Sequence, residues 1–71
     1  YNYRKLEGRI KEYYGTQKEF AKALHITEAM LTLKLNNKTP FSHKDMVKTI
    51  DLLKIPEKEI YLYFFTKNDN E

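Results

Sequence analysis

Two histidines, a scatter of hydroxyls and thirteen lysine and arginine side chains are the groups in this chain that could do chemistry. His25 and His43 have no carboxylate or thiolate at ligand spacing, and cysteine is absent, so no metal centre is expected. No nucleophile is paired with a base in any motif spacing, and no glycine-rich loop could cradle a phosphate. The residues therefore point to binding rather than catalysis, without cofactor or small-molecule substrate. The groups suited to binding lie between Thr16 and Lys44. They are hydroxyls at helix starts, scattered lysines, and one carboxylate, Glu28, beside the apolar Ala29, Met30 and Leu33.

Holding these groups in place falls to a chain of 71 residues, which allows one small domain with a modest core. Without disulfides it must hold by packing alone, with ten aromatic side chains supplying much of the buriable area. No apolar run approaches the roughly 18 residues needed to span a bilayer, and no signal-peptide pattern opens the chain. The expectation is a protein of the cytoplasm with no membrane partner. The net charge is +3, unevenly spread: residues 1–38 carry eight cations against four carboxylates, whereas residues 56–71 carry two against four. A basic body with an acidic tail suits a polyanion, although by charge alone a solvated surface with a mild lysine excess is the better explanation.

Only two glycines and two prolines interrupt the chain, which favours helices with short joints. Tyr3, Leu6, Ile10, Tyr13 and Tyr14 recur at helical spacing and predict a first helix ended by Gly15. Thr16-Gln17-Lys18-Glu19 matches a capping box, opening a second helix whose inner stripe is Phe20, Ala21 and Leu24. His25-Ile26 is a tight turn, and Thr27 caps a third helix running to about Leu35. Asn36 to Pro40 is a loop, since asparagine tolerates left-handed backbone and Pro40 disfavours helix before it. Ser42 and Asp45 predict a boxed start for a fourth helix, with Phe41 stapling to Met46 and with Val47, Ile50 and Leu53 inward. Pro56 starts a fifth helix at its first turn. In the run Ile60 to Phe65, Ile60, Tyr63 and Phe64 are expected in the core, while Tyr61 and Phe65 are open to core closure or to a homodimer or partner patch. Residues 66–71 read as a polar tail.

Residues 17–36 form one unit. Phe20, Ala21, Leu24, Ile26 and Leu31 stand where a helix-turn-helix needs apolar or small side chains, and Ala21 is small where two helices cross steeply. With Thr16 to Ala21 at its start, this segment resembles the Cro/repressor-type helix-turn-helix regulators of temperate bacteriophages. Lys34-Leu35-Asn36-Asn37-Lys38 and the Tyr63-Phe64-Phe65 ending are more narrowly similar to the modulator-of-repression proteins of lactococcal phages. The resemblance implies an all-α, compact five-helix domain over residues 1–65, with its motif in the second and third helices. It also implies a role in the lysis–lysogeny decision within a bacterial host. Two positions depart from the pattern. His25 stands where glycine usually makes the turn, and Lys34 where an aliphatic residue is usual, with Leu35 taking over the packing.

By this resemblance the third helix would face the major groove of operator DNA, presenting Thr27, Glu28, Ala29, Thr32 and Leu33, with Asn36 at its end. Glu28 could accept from a cytosine amino group and Ala29 could touch a thymine methyl, but no arginine is there to read guanine. The amides at the Thr16–Gln17 helix start, with Lys18, Lys38 and Lys44, would contact phosphate, and His43 would approach the backbone or minor groove. Operator DNA is thus the first partner implied. The alternative is an anti-repressor. Here the same acidic and apolar face would bind the phage's main repressor protein and block its DNA binding.

Overall fold

The computed structural model describes residues 1–67. Five helices follow one another: α1 (Arg4–Tyr14), α2 (Gln17–Leu24), α3 (Glu28–Leu35), α4 (His43–Leu52) and α5 (Ile60–Phe64). A single 3-10 turn, Glu57–Glu59, leads into α5, and no strand occurs among the described residues.

α1 turns Leu6 and Ile10 into the core and ends at Gly15, whose φ of 83° suits a residue without Cβ. Tyr3 is buried and Tyr14 half-buried, but Tyr13, expected on the inner stripe, is exposed and lies under the Arg9 guanidinium, 4.7 Å from its ring centre. Arg9 also reaches across to α4, where its Nε donates to Leu53 O and its Nη2 to Lys54 O, each at 3.0 Å. These carbonyls belong to a helix end that has no further turn to bond them.

At the start of α2 the Thr16 hydroxyl accepts from Glu19 N at 3.2 Å. The reciprocal arm of the expected capping box is missing, because Glu19 turns instead to Lys22, one turn along, at 3.6 Å. The box expected at α4 is complete: Asp45 N donates to Ser42 Oγ and Ser42 N to the Asp45 carboxylate. Thr27 caps α3 by accepting from Met30 N at 3.0 Å.

Helices α2, α3 and α4 end alike. His25, Asn37 and Lys54 each adopt a positive φ, at 62°, 61° and 52°. Each donates its N–H three residues back, and the following residue donates five residues back: Ile26 to Ala21, Lys38 to Leu33, and Ile55 to Ile50. This is the Schellman closure, made three times without glycine.

The core joins Tyr3, Leu6 and Ile10 of the first segment to Phe20, Ala21 and Leu24 of α2, Leu31 and Leu35 of α3, Leu53 and Ile55 after α4, and Tyr63 and Phe64 of α5. Phe41 stands edge-on between Tyr3 and Phe64, at 5.2 and 5.6 Å. Phe41 and Met46 both lie half-buried on this core. Val47, expected inward, is half exposed. The inner stripe of α4 runs Met46, Thr49, Ile50, Leu53, and Val47 is a quarter-turn off it. Thr49 fills the inward position, fully buried.

Pro56 precedes the last helix as its cap rather than starting its first turn, which is the 3-10 turn. Tyr63 and Phe64 are buried and Ile60 half-buried, while Tyr61 and Phe65 face out at 61% and 49% exposure. Thr66, expected in the polar tail, is tied down: its carbonyl accepts from Asn2 N and its hydroxyl donates to Leu62 O, both at 2.7 Å. Residues 68–71 of that tail lie outside the described residues. No described helix is long and apolar enough to cross a membrane.

Candidate recognition face

The candidate residues sit on three neighbouring elements. Thr16, Gln17 and Lys18 open α2; Thr27 to Leu33 run along α3; Asn36 and Lys38 follow it; His43 and Lys44 open α4. The Thr32 hydroxyl lies 3.5 Å from the Gln17 side-chain oxygen, so the start of α2 and the middle of α3 share one surface. Lys38 is held to that surface through its N–H, which donates to Leu33 O at 2.9 Å. Lys18, Glu28, Ala29, Thr32, Leu33, Asn36, Lys38, His43 and Lys44 are exposed, and Gln17 is half-buried. Thr16 and Thr27 are exposed too, but their hydroxyls are already engaged as caps.

α3 has an unusual distribution of polarity. Its inward residues are Leu31, Lys34 and Leu35, while Ala29, Met30 and Leu33 face solvent, Met30 at 38% and Leu33 at 41% exposure. An ordinary surface helix turns its charges out and its apolar stripe in. Here the only cation of the helix is 7% exposed.

Burial of that ammonium is matched by partners. Lys34 Nζ lies 2.8 Å from Asp45 Oδ2 and 3.2 Å from Pro40 O, with the Phe41 ring centre 5.9 Å away. Burial alone would raise the Asp45 carboxyl. Hydrogen bonds from Lys34 and from Ser42, together with the Lys34 charge, override it and hold the group below its ordinary value. Lys34 and Asp45 were not among the residues the sequence singled out for binding. A signal did exist: Lys34 follows Leu31 by three positions and adjoins Leu35, so the helical period turns it inward, and a buried cation needs an anion.

A family model described as a protein of unknown function, DUF739, matches residues 1–67. The chain belongs to that family. Among solved structures, it is similar to the solution structure of the modulator of repression of the temperate bacteriophage TP901-1 from Lactococcus lactis. The two are 36% identical with a TM-score of 0.80, over 93% of this chain and 89% of the other. The narrower of the two resemblances read from the sequence is therefore the one supported. No curated protein matches.

Proposed function

We propose that this DUF739 member regulates the repression switch of a temperate phage by binding a repressor protein through the outer face of α2 and α3. The observation that carries the reading is the polarity of α3, whose exposed side is Glu28, Ala29, Met30, Thr32 and Leu33. Three exposed apolar side chains, Ala29, Met30 and Leu33, beside the Glu28 carboxylate suit a protein surface bearing arginine or lysine. They suit a phosphate-lined groove poorly, since a carboxylate without a base partner is repelled there. The similarity to a modulator of repression supports the same reading. Operator binding through α3, the first expectation from the Cro-like pattern, would depend on Lys18, Lys38, His43 and Lys44 around the rim.

The test is a titration of the protein against operator DNA at two salt concentrations, with and without the cognate repressor. A stoichiometric complex with the repressor and weak, salt-sensitive DNA binding on its own is the expected result. Glu28→Lys is expected to cripple the repressor complex and to leave or strengthen nonspecific DNA binding. A specific operator complex formed without repressor would return the reading to a DNA-binding regulator. If neither Glu28→Lys nor Leu33→Ala alters either interaction, α3 is not the functional face.

A further inference from the structure

α3 has two apolar stripes rather than one. At about 100° per residue, Leu31 and Leu35 define one stripe, and Ala29, Met30 and Leu33 define another on roughly the opposite side. Either could be buried with similar gain, so hydrophobicity alone does not fix the rotation of this helix about its own axis. Its N-terminal end is positioned by the half-buried Ile26 and the Thr27 cap. At its C-terminal end the exposed Asn37 is clasped to Tyr1, and the buried polar contact, the one that depends on which side of the helix faces in, is made by Lys34.

We propose that the buried Lys34–Asp45 ion pair sets the rotation of α3 and thereby selects which apolar side chains are presented outward. Lys34 and Asp45 are on this account positioning residues of the proposed recognition face. Turning Lys34 outward would break its contacts with Asp45 and Pro40 and leave a carboxylate in a largely buried site. The setting with Ala29, Met30 and Leu33 outside is the one that keeps all of these contacts. Asp45 also accepts from Ser42 N, so the same pair ties the last turn of α3 to the start of α4 across the loop that carries Lys38. A buried ion pair contributes little net stability compared with apolar groups of similar volume, and its best attested use is to specify one packing among several. The choice between two stripes on α3 is a problem of that kind.

The chain has no cysteine, so a single introduced thiol can report the rotation. Ala29→Cys, a small change at an exposed position, is labelled in one fast phase when the pair is intact. Adding Lys34→Met with Asp45→Asn removes both charges but leaves an acceptor for Ser42 N. The expected results are biphasic labelling with a slow phase, doubled or broadened α3 amide resonances, and repressor binding weakened by about tenfold or more. Lys34→Arg, which keeps the charge and the donors, is expected to restore single-phase labelling and binding. If the double variant unfolds, Lys34→Gln with Asp45→Asn, which retains a hydrogen bond without charge, carries the same test. One fast labelling phase, sharp α3 resonances and unchanged binding in either folded variant would overturn the proposal. The binding arm rests on the repressor reading, whereas labelling and resonances do not. Failure of the wild-type protein to bind repressor would count against that reading and leave the rotation to be decided by the other two measurements.

Discussion

Three helices of this small domain close on a left-handed residue other than glycine, and the cost of doing so can be measured site by site. The left-handed region costs an ordinary L-residue roughly 1–2 kcal/mol. Placing glycine there removes that strain but makes the unfolded chain more flexible, which takes back about 0.4–1 kcal/mol. His25→Gly is therefore expected to stabilise the domain by about 0.5–1 kcal/mol, a rise in Tm of a few degrees, roughly 3–6 °C for a chain of this size. The His25 side chain is exposed, and the closing bonds are made by backbone groups that glycine keeps. Lys54→Gly should gain a similar amount, since the contact with Arg9 runs to the Lys54 carbonyl and not to its side chain. Asn37 differs in two ways. Asparagine tolerates the left-handed region better, and its side-chain amide donates to Tyr1 O, clasping the N-terminal segment to the end of α3. Asn37→Gly removes that bond for little relief of strain and should be neutral or destabilising by up to about 1 kcal/mol. Urea unfolding with unchanged m-values is the assay, with His25→Ala as a control that keeps the strain and should move stability little. A loss of stability in His25→Gly and Lys54→Gly, or an equal gain in Asn37→Gly, would refute the reasoning.

Two further changes probe the interior. The Thr49 hydroxyl is fully buried without a hydrogen-bond partner, so Thr49→Val, of nearly the same shape, should raise stability by about 1 kcal/mol in urea unfolding; Thr49→Ser, which keeps the hydroxyl and deletes the methyl, should lower it. The Asp45 carboxyl is held below its ordinary value in the folded state, so its contribution is complete above the unfolded value of about 4 and is lost as pH falls through the lower folded one. Stability measured from pH 6 down to pH 2 should therefore decline more shallowly in Asp45→Asn than in the wild type, after starting from a lower value.

Local rules made most of this fold legible in the sequence. Caps at Thr16, Thr27 and Ser42 and the stripes Leu6–Ile10 and Phe20–Ala21–Leu24 are short-range features, and the helices begin and end close to where those features place them. Polarity misled where spacing did not, with one exception. Val47 is apolar but lies off the stripe that Met46, Thr49, Ile50 and Leu53 make. Tyr13, three residues after Ile10, keeps the spacing and is exposed all the same in the last turn of α1. Thr49 and Lys34 were passed over as core residues because they are polar, although the same spacing turns them in. Thr66 is held by Asn2, a contact between the two ends of the chain that no local pattern could announce.

An acidic and apolar outer face on α3 was legible in the sequence, and the partners of Lys34 were not. Read as a string, α3 carries a lysine in its last turn, which a DNA-facing helix could offer to phosphate. Folded, that lysine is committed to Asp45 and Pro40, and the exposed side keeps Glu28 as its one charge. Moving one cation from the outer face to the interior shifts the balance of that face from attraction toward repulsion for a polyanion, while the aliphatic side chains exposed by the same rotation add area that a protein partner can cover. The lysines that remain outside, Lys18, Lys38 and Lys44, lie on the elements flanking α3 rather than on its outer face. Rim charges of this kind chiefly tune association rate and salt dependence, and a central apolar cluster chiefly sets how long a complex lasts. Against a repressor surface bearing arginine or lysine, neutralising Lys38 and Lys44 should accordingly relieve repulsion, speed association and flatten its salt dependence, whereas Leu33→Ala should act on dissociation, a division that stopped-flow kinetics of the repressor complex can separate.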